Sequence, residues 1–303
     1  MAGRDAAAGR LYVVGTPIGN LGDFSPRAAE AFRAADAICC EDTRVTSKLL
    51  AHLGISKPLL RCDENTIAAR APQMVERMFA GERIAFSSDA GMPSVSDPGQ
   101  VLVDAAREAG VPVEVLPGPS ACVTALVASG IPCDHFFFEG FLPRKHGERV
   151  RRLSELARVP GALIFYESPH RVAASLAAVA EVFPARQVAM CRELTKLHEE
   201  VLRAPAPELA ELVAAREEVR GEIALVVAPP SAEELAAWRA GMGTGAVAGA
   251  AAPADPQEAL RADILTALGE GEPVSAIAKR LSQRYSLKRR AVYDLALELQ
   301  ERG

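Results

Sequence analysis

The sequence predicts an α/β protein: a parallel-sheet domain, then a mixed-sheet domain, then a small all-helical module. Three observations carry this. From Leu11 to Ser129, short β-rich runs alternate with helical runs. The early β-rich runs are continuously apolar rather than period-two, as in parallel strands covered by helices on both faces. A Gly/Ala/Pro tract, AGMGTGAVAGAAAPADPQ, then separates a helical-period segment from the rest.

Within the first domain, taken as residues 11–118, strands are expected at Leu11–Val14, Ala37–Cys40, Ile84–Phe86 and Val113–Leu116. Helices are expected at Ala28–Ala34, Thr46–Leu53 and Val101–Ala109, with another at Ser120–Ser129 just beyond. A capping side chain followed by proline marks helix starts at Ser25-Pro26, Asp97-Pro98 and Ser168-Pro169. Asp97 therefore reads as a cap. The second domain, 119–238, carries strand-like runs at Phe136–Phe138, Ala162–Tyr166, Gln187–Cys191, Glu200–Leu202 and Glu222–Ala228. Helices fit Val172–Val182 and Pro207–Ala215, and the spacing of the last three strands favours antiparallel pairing.

Residues 1–10 are expected to be disordered and 239–256 to form a flexible linker. Beyond it, Leu260, Ile264, Leu265 and Leu268, then Ile277, Ala278 and Leu281, then Ala291, Val292, Leu295, Ala296 and Leu299 recur at helical spacing. Three short helices over 257–303, with a polar turn at Arg284–Leu287, make a helix-turn-helix-like module. Lys279, Arg280, Arg284, Lys288, Arg289 and Arg290 cluster around that turn in a chain of net charge −5. A basic face on a small helical module suits nucleic-acid phosphates; an ordinary solvated face is the alternative.

No apolar stretch approaches the roughly 20 residues that span a bilayer, and MAGRDAAAGR has no apolar core of a signal peptide. The six cysteines form no CxxC pair and no ligand-like spacing with histidine, so reduced thiols in a cytoplasmic protein are expected, with no metal and no membrane association.

Ligands in open α/β sheets settle beyond the carboxyl ends of the strands. Three small-residue loops lie there: Gly15–Asn20, the stretch SSDAGMPSVSDPG from Ser87 to Gly99, and Pro117–Ala121. Neither GxGxxG nor GxxxxGK[ST] occurs, so the dinucleotide and P-loop fingerprints fail. Three such loops on one sheet edge point to a cofactor crevice.

In order, VGTPIGNLGD, EDTR, SDAGMPSVSDPG, LPGPSA, FYESPHR, CRELTKLHEE and GEIALVV resemble the ribosomal RNA small subunit methyltransferase I family of the tetrapyrrole-methylase superfamily, over Leu11 to Pro229. The basic C-terminal module is similar to that family's tail. The resemblance implies S-adenosylmethionine as methyl donor, 2′-O-methylation of a cytidine in the decoding region of 16S rRNA within the small ribosomal subunit, and a homodimer. The superfamily's GxGxGD-like first loop is here Gly15-Thr16-Pro17-Ile18-Gly19-Asn20, and its GDP is Ser88-Asp89-Ala90. Both departures weaken a porphyrinoid substrate.

Carried over by motif, the resemblance implies cofactor contacts at Pro17, Asp89, Ala90, Gly91, Val95, Ser120, Ala121 and Tyr166. A ribose hydroxyl is a weak nucleophile, so a base or a nearby cation should help its displacement chemistry. Glu41 or Glu167 is favoured as that base, among polar groups that include Asp42, His170, Glu193, His198 and Glu199. Arg44, Arg171 and Lys196, with Lys288, Arg289 and Arg290 of the tail, are candidates for RNA phosphates. A small-molecule porphyrinoid methylase, or a non-catalytic RNA-binding protein, are the alternative functions.

Overall fold

A computed structural model describes residues 9–239, 256–269, 272–285 and 287–302. The chain forms two compact units that divide between Leu235 and Ala236. The first unit contains both sheets.

The first sheet is built from β1 (Arg10–Val14), β2 (Ala37–Cys40), β3 (Leu59–Arg61), β4 (Arg83–Ser87) and β5 (Val113–Leu116), interleaved with α1 (Pro26–Ala34), α2 (Thr43–His52), α3 (Ile67–Phe79) and α4 (Gly99–Glu108). All strands are parallel, in the order β3-β2-β4-β1-β5. Alternate residues of each buried strand supply the two faces. Leu11, Val13, Ile84 and Phe86 pack with Met74 and Met78 of α3 and Leu102 and Ala106 of α4. Val14, Ile38, Ala85 and Leu116 pack with Ala28, Ala31 and Phe32 of α1 and Leu50 of α2. Both faces are apolar, which is why the strands read as continuous apolar runs.

The second sheet, reached through α5 (Ala121–Ser129), comprises β6 (Phe136–Phe141), β7 (Ala162–Glu167), β8 (Gln187–Arg192), β9 (Glu200–Pro205) and β10 (Ile223–Val227). Its order is β6-β7-β10-β8-β9; β6 and β7 are parallel and every other pair is antiparallel. One face holds α6 (His146–Leu156), α7 (Val172–Val182) and α8 (Ala206–Ala214), around Phe165, Leu176 and Leu225. The other holds α5, with Cys122 and Ala125 against Ile164, Ala189 and Val226. A further helix, α9 (Ala232–Arg239), follows.

Ser25 caps α1 as expected, its Oγ accepting from the amide of Ala28 at 3.1 Å. The other two Ser/Asp-Pro signals mark turns ahead of the helices. Asp97 Oδ1 accepts from the amides of both Ser94 and Gly99 at 2.8 Å, and α4 starts at Gly99. Ser168 begins a turn whose carbonyl accepts from Arg171 and Val172, and α7 starts three residues past Pro169. Strand β3 and helices α3, α6 and α9 were not expected. β3 is three residues long, too short to show a period, and Pro72 interrupts the α3 pattern although Ile67, Ala71, Met74 and Met78 make a buried stripe.

In the second unit, α10 (Pro256–Gly269), α11 (Val274–Arg284) and α12 (Arg289–Arg302) pack around Leu260, Ile264, Ile277, Leu281, Val292 and Ala296. The hydroxyl of Tyr285 donates to Asp263 Oδ2 at 2.7 Å, tying α10 to the end of α11. Leu265 and Ala291 were expected inside but are exposed. Ala267 takes an interior place instead, a shift of the α10 stripe by part of a turn. The expectations of a disordered start and a flexible linker lie outside the described residues, apart from Gly9, which is buried, Arg10, which opens β1, Arg239, which ends α9, and Pro256, which opens α10.

Candidate active site

Adjacent strands β1 and β4 send their chains to opposite faces of the sheet, β1 into α1 and β4 into α4. Their loops therefore part at the carboxyl edge and leave a crevice, the switch point where such sheets hold ligands. The two loops are pinned across it by a two-residue bridge. Thr16 N donates to Gly91 O at 2.9 Å and Gly91 N to Thr16 O at 3.1 Å.

The third loop locks onto the first by glycine contact. A Cβ on Gly15 would sit 2.7 Å from Gly118 Cα, and one on Gly118 would sit 2.8 Å from Gly15 Cα, so neither position accepts a side chain without moving backbone. Gly118 N also lies 3.1 Å from the thioether of Met92, in the second loop. Three segments far apart in sequence thus form one rigid edge. The second loop is braced against the other sheet where β6 bulges at Gly140 (φ +79°), whose missing Cβ leaves room for Ser96 Oγ.

Between this edge and the second sheet lies a cavity of about 360 Å³. Ala90, Gly91, Val95, Ser120, Ala121, Tyr166 and Glu167 all line it, so seven of the sequence-derived site residues converge. Tyr166 serves as more than wall. Its hydroxyl accepts from the amide of Cys122 at 3.1 Å, capping α5 where Ser120 makes no side-chain cap. Burial pushes the phenol up to about 12, so the hydroxyl stays neutral. Its ring meets Phe138 edge-on at 4.7 Å. Pro17 and Asp89 line a second groove of about 320 Å³ on the α2 side, with Thr16, Leu21, Val45 and Lys48.

Sequence reasoning did not single out Ile18, Met92, Phe141, Leu194 and Gly221–Ala224, which complete the first cavity. The β7–β10 register brings the last segment in: Ile223 pairs with Glu167 and Ala224 with Tyr166. Antiparallel pairing was legible only among β8, β9 and β10; that β10 also pairs with β7 was not, and no local pattern gives the register.

Glu167 is buried, and both carboxylate oxygens are engaged. Oε1 accepts from Ser168 N at 2.9 Å, and Oε2 from the Ser175 hydroxyl at 2.5 Å. Arg171 Nε lies 3.3 Å from Oε1, and its Nη2 donates to the carbonyl of Leu142 at 2.5 Å. Glu41 is half-buried at the end of β2, and its Oε1 accepts from the amide of Asp89 at 3.2 Å. Desolvation, helped by the charge of Asp97, raises its pKa to about 7. The amide of Asp42 donates to Asp89 Oδ1 at 2.9 Å, and burial raises the Asp89 carboxyl as well.

Arg44 forms a fork on Asp42 (2.6 Å) with its side chain 85% exposed. Lys196 Nζ reaches Glu193 at 2.8 Å and Glu222 at 3.0 Å, and its stem lies over Gly19, where a Cβ would clash. His170, His198 and Glu199 flank these loops, and Glu199 Oε2 accepts from Thr195 N. In the second unit Lys279, Arg280, Lys288, Arg289 and Arg290 are exposed; Arg280 pairs with Glu272. The cysteines are all free thiols, and among the described residues no group of three His, Cys, Asp or Glu gathers as a metal cluster. Among the same residues no helix is long and apolar enough to cross a membrane.

Residues 10–210 match the family model of Tetrapyrrole (Corrin/Porphyrin) Methylases. The uroporphyrin-III C-methyl transferase of Thermus thermophilus, solved in complex with S-adenyl homocysteine, is 21% identical with a TM-score of 0.53, over 73% of this chain and 97% of that one. Together with the two-sheet architecture, these define a protein of the tetrapyrrole-methylase class. The ribosomal RNA small subunit methyltransferase I of Vibrio cholerae serotype O1 is 41% identical over 95% of this chain and 94% of its own, and that of Escherichia coli O157:H7 39% over 98% and 97%. The chain belongs to the ribosomal RNA small subunit methyltransferase I family.

Proposed function

We propose that the chain transfers a methyl group from S-adenosylmethionine to the ribose 2′-oxygen of a cytidine in the decoding region of 16S rRNA. The observation that carries this is the interlocked cavity. The same three loops that resemble the family's cofactor motifs are pinned together at Thr16–Gly91 and Gly15–Gly118 and enclose a space of ligand size. Relatives alike over almost the whole chain are named as small-subunit rRNA methyltransferases, which supports the substrate class.

The residues present fit the cofactor. Ile18, Phe141, Leu194 and Ile223 give apolar walls for a nucleoside and a thioether; Ser120, Glu222 and the Ala90–Gly91 backbone give polar contacts. Carboxylates on the wall favour a positively charged sulfonium. When bound, S-adenosylmethionine supplies a methyl carbon whose S–C bond breaks, with its electron pair left on sulfur, as the new O–C bond forms. The protein's task is to align a hydroxyl at about 3–3.5 Å and to take its proton. A carboxylate with a pKa near 7 is matched to proton acceptance at neutral pH; Glu41 lines neither cavity itself, and we assign it that role through the crevice loop, whose Asp89 amide its Oε1 holds at 3.2 Å. Glu167, with both oxygens engaged, holds the loop of Arg171 instead.

Exposed Lys288, Arg289 and Arg290, and Arg44 beside the crevice, are assigned to RNA phosphates, while Arg171 and Lys196 chiefly brace the cavity. A cytoplasmic homodimer belongs to the same reading; apolar Phe136, Val123 and Val127 at the surface supply area for it. The test is calorimetric titration with S-adenosylmethionine, followed by methylation of small ribosomal subunits, free rRNA and porphyrinogens, with the modified position mapped. Ribose methylation of one cytidine is expected; methylated porphyrinogen in place of RNA overturns the reading.

A further inference from the structure

The loops at the switch point border two cavities, and consecutive residues line opposite ones. Ile18, Ala90 and Gly91 line the larger; Pro17, Gly19, Ser88 and Asp89 line the groove beside α2. One residue of chain separates the two spaces at each loop. A donor held in the first therefore has the second as its immediate neighbour.

The lining of the groove is chemically distinctive. Leu21 and Val45 are 47% and 41% exposed although they border a concavity, so apolar side chains stand ready to be covered. Lys48, on the same face of α2, is exposed and makes no ion pair among the described residues. Asp89 is fixed from behind through its amide on Glu41 and its Oδ1 on the amide of Asp42, and Oδ2 has no partner among the described residues. The groove thus offers two apolar walls, one free cation and one free carboxylate oxygen.

We propose that this groove receives the acceptor nucleoside of the RNA, extruded from its stack; the assignment rests on the cofactor reading of the larger cavity. The base lies between Leu21 and Val45, Lys48 takes an adjoining phosphate, and Asp89 Oδ2 accepts a hydrogen bond from the 2′-hydroxyl of the neighbouring nucleotide. Each contact matches a part of a nucleotide: apolar faces for a flat ring, an ammonium for a phosphate, a carboxylate for a hydroxyl. A macrocycle bearing many carboxylates fits poorly, because a space of about 320 Å³ is small for it and Asp89 would repel it beside a single lysine. Asp89 is thereby moved from the cofactor to the acceptor side of the site.

The experiment uses the full chain and three substitutions: Val45→Trp to fill the groove, Val45→Ala to remove one of its walls, and Lys48→Ala. Cofactor affinity is read by calorimetry, and methyl transfer by steady-state kinetics on small ribosomal subunits. For Val45→Trp, S-adenosylmethionine affinity within about twofold of the native chain and methyl transfer at least 100-fold slower are expected. Val45→Ala, which removes one apolar wall, should keep native cofactor affinity and raise KM for RNA several-fold. Lys48→Ala should raise KM for RNA about tenfold and leave kcat nearly unchanged, as loss of a phosphate contact in the ground state does. Val45→Trp that methylates at the native rate, or that loses cofactor and transfer together, overturns the groove assignment alone. A native chain that binds no S-adenosylmethionine overturns the cofactor reading and this one with it.

Discussion

Two strand ends carry nearly the same words and do different things. β2 runs into Glu41-Asp42-Thr43-Arg44, and β7 into Glu167-Ser168-Pro169-His170-Arg171. Each has a glutamate at the end of the strand and an arginine three or four residues on. At β7 the glutamate is sealed in, with a hydroxyl, an amide and a guanidinium around it, and the arginine turns inward to the Leu142 carbonyl. At β2 the glutamate is half-buried with acidic neighbours and the arginine lies in water on Asp42. The difference teaches that partners, rather than residue type, decide whether a strand-end carboxylate holds the fold or can trade a proton.

The largest effect that would sharpen this contrast is on stability at β7. Glu167→Ala leaves Arg171 and Ser175 facing an empty buried site, and breaking such a pair costs about 3–5 kcal/mol. Denaturant unfolding should show a loss of that order, whereas Glu167→Gln, which keeps an acceptor, should lose less and still methylate. Near-native stability in Glu167→Gln with kcat reduced 100-fold or more would make Glu167 chemical after all, and the contrast would collapse.

One residue earlier, Tyr166→Phe removes the hydroxyl that receives the Cys122 amide and leaves the ring packing intact. A lost neutral hydrogen bond of this kind costs about 1 kcal/mol. Its expected result is a small drop in melting temperature with cofactor affinity weakened several-fold; an unchanged affinity would mean that the start of α5 needs no cap to bind.

The ends of these strands were legible, but their wiring was not. Apolar runs and alternation gave the parallel sheet and the positions of its loops, because Ile38, Ala85 and their neighbours are buried on both faces. The three loops could be named as one crevice from sequence because three small-residue clusters fall on one sheet edge; one such cluster alone is more often a tight turn, and the close approach of Gly15 to Gly118 is what the structure adds. What could not be read was pairing between distant segments. The β7–β10 register that brings Gly221–Ala224 to the cavity, and the separation of Asp89 from Ala90 into different cavities, depend on tertiary geometry. Asp97 and Ser168 show the same limit: the cap-plus-proline pattern located a turn, and tertiary packing set where the helix starts.

A moderate effect is expected at β2 as pH changes. The Glu41 carboxyl is raised above its ordinary value, so the folded state binds its proton more tightly than the unfolded chain does. The stability tied to that proton is full below the usual carboxylate range and is lost as pH rises through about 7. Melting temperature against pH should therefore fall over that window, and Glu41→Gln should flatten the decline. The same substitution should lower kcat and remove an acidic-limb titration near pH 7 from the rate profile. Rate profiles identical for the two proteins would take the proton-accepting role from Glu41.

The smallest structural effect belongs to Arg44. Its fork on Asp42 is surface-exposed, and such pairs contribute little to stability. Asp42 also caps α2 by accepting from the Arg44 backbone amide at 2.8 Å, and that bond survives replacement of the side chain. Arg44→Ala should therefore melt with the native chain while binding rRNA more weakly. If Arg44 meets one phosphate, the slope of log affinity against log salt should fall by about 0.7–0.9. Alanine at Lys288, Arg289 and Arg290 together gives the scale for a multi-contact loss in the same titration. An Arg44→Ala protein with native slope and native affinity would leave both arginines of the compared loops structural, and the phosphate contacts of the first unit would then fall to Lys48.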